Sequence, residues 1–349
     1  MVPLTVEFDP LALELGDFDG DGAIDAFVSG TFGGLVRGAI LYGVGDGTLS
    51  SPIAIDATGC SAYPAVGSLD GNGSTDIVMA ACNGQIAVWR GDVSRTLVPW
   101  TEWAAQTYPN MRTSVIADFA GDGNGDLFTL RVVADAPGQV WIDRTAAGIS
   151  IQHVTGFDLA TGLPAGFDPN ALALGMLDDD GIRDVVVTDR EHGLARAHGD
   201  AFVGTFVDPE AIDVDISPWT TLVGDLDGDA LDDVVVTARA EQSVQVLVND
   251  GAAGLAADSP LHVAGLSPYD AALGDVDGDG ALDLVLVDDG QSVLVWMRGD
   301  GAGGLTVADV LLLPSPAIRV HVADLDGNGF ADVVAATFAA GSLSVSLAG

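Results

Sequence analysis

Lysine is absent from this chain of 349 residues, and all twelve basic residues are arginine. Against them stand 51 acids, a formal net charge of −39. A field of that sign repels phosphate backbones and anionic membrane surfaces, so neither nucleic acid nor a membrane surface is an expected partner. No stretch approaches the roughly eighteen apolar residues of a membrane span, and membrane insertion is not expected. The start, Met1-Val2-Pro3, has neither the basic segment nor the apolar core of a signal peptide. Met1 is expected to be an added initiator on a mature or excised domain. Enzyme signatures are missing too: there is no GxSxG elbow, no P-loop and no Rossmann fingerprint. The five histidines, His153, His192, His198, His262 and His321, have no metal-ligand spacing with cysteine partners. A non-enzymatic protein is expected, with a polysaccharide-acting enzyme assembled from several loops as the alternative, since such a centre leaves no local motif.

What the chain does contain is repetition. A nine-residue acidic pattern begins at Asp17 (DFDGDGAID), Ser68 (SLDGNGSTD), Asp118 (DFAGDGNGD), Met176 (MLDDDGIRD), Asp225 (DLDGDALDD), Asp275 (DVDGDGALD) and Asp324 (DLDGNGFAD). The starts are 51, 50, 58, 49, 50 and 49 residues apart. A period of that size belongs to propellers and solenoids, in which each unit is one supersecondary element packed on its neighbours.

The chemistry of the pattern is that of a calcium loop. Oxygen side chains at positions 1, 3, 5 and 9, with glycine usually at 6 and a carbonyl at 7, let a short loop wrap a hard cation that takes six to eight oxygens. The expected ligands in the first loop are Asp17, Asp19, Asp21, Asp25 and the carbonyl of Ala23; in the second, Ser68, Asp70, Asn72, Asp76 and Ser74. The third offers Asp118, Asp122, Asp126 and Asn124 but loses a ligand at Ala120. The fourth offers Asp178, Asp180 and Asp184 but puts Met176 at position 1, a poor partner for a hard ion, with Arg183 adding a positive charge. The fifth has Asp225, Asp227, Asp229, Asp233 and Leu231; the sixth Asp275, Asp277, Asp279, Asp283 and Ala281; the seventh Asp324, Asp326, Asn328, Asp332 and Phe330. Binding is expected to be strongest in loops 1, 5, 6 and 7 and weakest in loop 4. An EF-hand needs a bidentate Glu at position 12 and a following helix. Here position 12 is Val28, Val236, Leu286 or Ala335, inside β-branched, apolar runs such as Asp233–Thr237 (DVVVT), so each loop joins two strands.

Each unit reads as four short strands separated by Gly/Asp turns, an antiparallel meander whose second and third strands are apolar enough for burial on both faces. The expected fold is all-β: a seven-bladed β-propeller of four-stranded antiparallel blades, one domain over 1–349. Its repeats run about 11–60, 61–110, 111–170, 171–219, 220–270, 271–320 and 321–349, the last completed by an N-terminal strand over residues 2–8 that closes the ring and removes sheet edges.

On these motifs the chain resembles the calcium-binding propellers of the integrin α-subunit head and the related FG-GAP and VCBS repeat proteins. It departs from true FG-GAP repeats in lacking a regular Phe-Gly and the Gly-Ala-Pro after the second strand, where TAR, TDR, VDD or ATF stands. The bacterial VCBS-like form is the closer match, and the integrin's adhesive partners do not carry over. The resemblance implies calcium as cofactor and an extracellular or cell-surface binding or adhesion module, monomeric or part of a larger surface protein; a purely structural module of a larger surface protein is the further alternative.

The expected ligand face is the one opposite the loops, built by blade-to-blade connections that pair an aromatic with a proline: Phe8-Asp-Pro10, Tyr63-Pro64, Tyr108-Pro109, Phe167-Asp-Pro169, Pro218-Trp219 and Pro268-Tyr269. Two readings stand for Tyr63, Tyr108, Phe167, Trp219 and Tyr269: wedges packed between blades, or stacking platforms for a carbohydrate (a lectin-like role) or a protein ligand. The one long insertion, Gly156 to Asn170, falls on the same face. Cys60 and Cys82 lie nearly opposite each other across a hairpin, either as a disulfide, which would place the chain in an oxidising compartment, or as two buried thiols.

Overall fold

The computed structural model describes residues 2–32, 35–55, 64–80, 86–100, 111–119, 121–131, 139–146, 150–158, 167–200, 205–251, 254–258, 260–263, 265–338 and 341–349. Tyr63, Tyr108, Ala120 and both cysteines lie outside these residues. All regular structure among them is β, and no helix is long and apolar enough to cross a membrane.

The strands form seven antiparallel sheets, here called blades 1 to 7 in chain order. Blade 1 is Asp9–Gly16, Asp25–Phe32, Leu35–Leu41 and Ile53–Ile55, paired in sequence order, and the others repeat that meander. By density of contacts the chain divides into two compact units, Met1–Pro109 with Asp270–Met297 and Val307–Gly349, and Asn110–Tyr269 with Arg298–Thr306.

Burial follows the sequence pattern closely. The second strands Asp126–Arg131, Asp184–Asp189, Asp233–Ala238, Asp283–Asp288 and Asp332–Thr337 are buried at every residue. Alternation explains why a continuous apolar run is needed, because successive side chains leave a strand on opposite faces. In blade 4, Val185 and Val187 join Phe128 and Leu130 of blade 3, while Val186 joins Val234 and Val236 of blade 5. In the other unit, Val28 packs with Val334 and Leu343 of blade 7, and Phe27 with Ile77 and Trp89 of blade 2. Each such aliphatic side chain contributes about 1.5–3 kcal/mol through burial. The fourth strand of blade 6, Leu305–Leu312, is mostly exposed.

Neighbouring blades are also stitched through their backbones. The residue just before position 9 donates its N–H to the position-1 carbonyl of the preceding blade: Thr75 to Asp17 at 2.7 Å, Asp232 to Met176 at 2.8 Å and Ala331 to Asp275 at 2.8 Å.

The N-terminus completes the last blade, but with a shorter strand than residues 2–8. Val2–Thr5 pairs with Ser342–Ser346 in the register Val2↔Val345 to Thr5↔Ser342, and the Val6 N–H reaches the Gly341 carbonyl at 2.7 Å. Val6 and Phe8 are buried in the core cluster of blades 1 and 7, and the chain bends over Glu7–Phe8 to enter blade 1 at Asp9. An apolar anchor within six residues forces that bend and ends the strand.

Candidate metal centres and the opposite face

Each acidic loop folds around its own carboxylates. In loop 1 Asp17 accepts the N–H groups of Gly20, Asp21 and Gly22 at 2.6, 3.1 and 2.9 Å, Asp19 accepts that of Asp21 at 3.1 Å, and Asp21 that of Ala23 at 2.9 Å. Gly20 and Gly22 have φ of 71° and 90°, a region that costs an L-residue strain and explains the glycines at positions 4 and 6. Loop 5 puts Ala230 at position 6, where it adopts φ 76°.

Position 9 does a second job. Asp25 is fully buried and takes the N–H of Phe18 at 2.8 Å and of Gly43 at 2.7 Å, tying the loop to the end of the third strand. The same clamp recurs at Asp76 with Leu69 and Gly91, Asp184 with Leu177 and Gly199, Asp233 with Leu226 and Asn249, and Asp332 with Leu325 and Ala348. Burial pushes Asp25 and Asp184 up to about 6 and Asp76 to about 7, and raises Asp233 as well, with the backbone donors only partly offsetting it.

Three acidic groups gather with ligand atoms within 4.8 Å of one another in four loops: Asp17, Asp19 and Asp25; Asp225, Asp227 and Asp229; Asp275, Asp277 and Asp279; Asp324, Asp326 and Asp332. Carboxylate oxygens concentrated in this way suit a hard cation, and these groups could hold a metal ion. Loops 2 and 3 gather no such trio among the described residues.

Three basic side chains escape a reading of the loops alone; one is Arg90, at the end of the third strand of blade 2, which comes 3.7 Å from Asp70 of loop 2. Arg95, between the third and fourth strands of blade 2, places its Nε 2.6 Å from Asp19 Oδ2 and a terminal nitrogen 2.8 Å from Asp21 Oδ2. In loop 4, where Met176 offers no carboxylate, His198 puts Nδ1 2.9 Å from Asp178 Oδ2 and 3.6 Å from Asp184 Oδ1. These three also form a gathered group, Asp178, Asp184 and His198, so loop 4 has a nitrogen donor that its own nine residues do not show.

At the opposite ends of the strands the aromatics divide. Phe167 is 1% exposed inside the core of blades 3 and 4, so it is a wedge. Trp219 and Tyr269 are half-buried with ring centroids 5.7 Å apart. Arg190 and Arg239 lie over the Trp219 ring at 3.9 and 4.5 Å, and Arg239 over Tyr269 at 4.8 Å. Guanidinium groups thus cover the Trp219 ring that a sugar would need for stacking. Of the insertion, Gly156–Asp158 ends the fourth strand of blade 3 (Ser150–Asp158), residues 159–166 lie outside the described residues, and Asp168 pairs with Arg112 at 2.9 Å.

A family model described as FG-GAP-like repeat matches residues 69–129, 225–286 and 275–335. Each match runs from one acidic loop into the second strand of the following blade. The chain is an FG-GAP-repeat β-propeller. Loops 1 and 4 of this propeller lie outside the matched segments. The fold is shared with a crystal structure of BBS1N in complex with ARL6DN, at a TM-score of 0.67 and 13% identity over 100% of this chain and 96% of that one. It is shared as well with a protein from Lactobacillus plantarum, at a TM-score of 0.61 and 17% identity over 89% and 86%. No curated protein matches the chain in sequence.

Proposed function

We propose that this FG-GAP propeller, a scaffold that supports a binding or structural module, is a calcium-stabilised, non-enzymatic binding or adhesion module of the cell surface or extracellular space, with calcium in the acidic loops and a protein or glycan ligand on the opposite face. The observation that carries the reading is the gathering of Asp225, Asp227 and Asp229, of Asp275, Asp277 and Asp279, and of Asp324, Asp326 and Asp332, three sets of oxygen-only donors at equivalent places in successive blades.

Calcium supplies the charge that such trios lack. Carboxylates held within a few ångströms repel one another, and the loop's internal N–H donors offset only part of that cost. A divalent ion removes the repulsion in the native state alone, so each site adds stability by mass action, about 2.7 kcal/mol at a hundredfold excess over its dissociation constant. In loop 1 the Arg95 guanidinium supplies part of that charge already, and in loop 4 the His198 imidazole takes the place of an oxygen donor. Calcium is therefore assigned first to loops 5, 6 and 7. The acid excess supports an environment rich in divalent cations, which is the extracellular one.

Equilibrium dialysis of the chelator-stripped protein against labelled calcium tests the assignment. At least three bound ions per chain are expected, with losses when Asp227, Asp277 or Asp326 is changed to Ala. A stripped protein that takes up no calcium refutes it.

A further inference from the structure

In the unit that holds blades 3 to 5, a cavity of about 450 Å³ opens where the second-to-third strand turn of blade 4 meets the connection into blade 5. Its wall is made by Arg190, Glu191, His192, Asp213, Asp215 and Glu241, with Ile216 and Val214 beneath. The volume falls in the range of small-ligand sites. We propose that this cavity binds a basic side chain, the ammonium of a lysine or the guanidinium of an arginine, presented by an extended peptide of a partner protein. The proposal deepens the binding-module reading and rests on it.

Four observations carry it. First, the wall has four carboxylates against one guanidinium, and that guanidinium is laid on the Trp219 ring at 3.9 Å. Second, Glu241 uses Oε1 to accept the Ser217 N–H at 3.3 Å, while its Oε2 is buried with no hydrogen-bond partner. A buried carboxylate oxygen without a donor is costly, and an incoming N–H repays it. Third, His192 Nδ1 is 3.1 Å from Asp189 Oδ2, and Asp189 is 3% exposed and also accepts the N–H groups of Glu191 and Asp168. That contact engages Nδ1 and leaves Nε2 as the ring's remaining polar atom beside the carboxylates.

Fourth, the carboxylates are dispersed. Among the described residues, acidic groups that converge within 4.8 Å are found in the loops and not around this cavity. Dispersed acceptors around several hundred cubic ångströms do not make a metal site; they match a donor-rich organic cation with an alkyl stem, which Ile216 and Val214 would line. A neutral sugar is the poorer fit, because Arg190 and Arg239 cover the Trp219 ring beside the cavity. An acidic sugar would meet four like charges.

The test is isothermal titration of the calcium-saturated full chain with three probes: a capped pentapeptide with one central lysine, free cadaverine, and oligogalacturonate. It is run at physiological salt so that the protein's general charge is screened. The lysine peptide is expected to bind one to one and more tightly than cadaverine. Glu241→Gln should weaken it roughly tenfold or more, as truncating a desolvated charge pair does, and Asp213→Asn, whose carboxylate stands on the exposed rim, by about two- to fivefold. Asp309→Asn, which removes one exposed charge from blade 6, should leave affinity unchanged. Equal weakening by all three variants would reduce the effect to net charge and overturn the proposal, as would tighter binding of oligogalacturonate, or of cadaverine over the peptide. The calcium reading fails separately: a chain that binds no calcium but takes the peptide refutes that reading and keeps this one.

Discussion

His198 Nδ1 lies 2.9 Å from Asp178 Oδ2, in the acidic loop whose first position is Met176. A basic side chain from the third strand of blade 4 has moved onto position 3 where position 1 carries no charge. The pair is partly exposed, so its worth is modest. Replacing His198 with Ala should lower stability by about 1 kcal/mol in chelator, read by urea denaturation. A loss of several kcal/mol would mean that the imidazole is a structural post and not a local hydrogen-bond partner of Asp178.

Arg95 makes the complementary case in loop 1. Its guanidinium occupies oxygens of both Asp19 and Asp21. Arg95→Ala should strengthen calcium binding at loop 1 by roughly tenfold, because a competing cation is removed from two of its ligands. Calorimetric titration of an Asp227→Ala, Asp277→Ala, Asp326→Ala background isolates that site; weaker binding without Arg95 would show that it holds the loop in shape for the ion.

How far the sequence led can be judged at these two positions. The loops, the strand after each and the buried valines of Asp233–Ala238 were all legible, because a nine-residue motif and a continuous apolar run are local signals. Arg95 is 76 residues from Asp19 and His198 is 20 from Asp178, and no spacing rule announces such partners. The pattern predicts a closing strand over residues 2–8, and the structure ends it at Thr5, since the burial of Phe8 that bends the chain depends on blade 7. The aromatic-proline motif is one pattern with two outcomes: Phe167 is core, while Trp219 is half-buried under arginines from the turns that follow the second strands of blades 4 and 5.

That division gives a stability prediction. Phe167→Ala should cost about 3–5 kcal/mol, the range for a buried aromatic. Trp219→Ala should cost less, about 2 kcal/mol, through lost contacts with Arg190, Arg239 and Tyr269. Chemical denaturation of both variants in calcium checks the order, and a costlier Trp219 change would reverse the assignment of wedge and surface.

A pH dependence follows from the innermost strands of blades 1, 6 and 7. Glu14 stands with His321 Nε2 4.0 Å from its Oε2, and Asp270 and Arg319 act on it electrostatically. Burial raises Glu14 to about 8, with Arg319 pulling the other way, and burial lowers His321 to about 4. An acid raised on folding contributes stability that is full below its unfolded pKa of 4.5 and fades as pH climbs through about 8. A histidine depressed on folding contributes stability above 6.5 that fades as pH falls through about 4. Glu14→Gln should therefore flatten the alkaline decline of the melting temperature while leaving the acid limb in place. An unchanged alkaline limb would show that Glu14 does not carry it.

The most direct test of the account is the melting temperature of the chelator-stripped protein as free calcium is raised. Four gathered carboxylate trios and mass action predict a midpoint that climbs steadily with calcium concentration and falls back when chelator is restored. Magnesium should serve poorly, since it demands a tighter octahedral shell than a flexible loop of carboxylates offers. A melting curve that is the same in excess calcium and in excess chelator would contradict the central claim that these loops are cation sites on which the propeller depends.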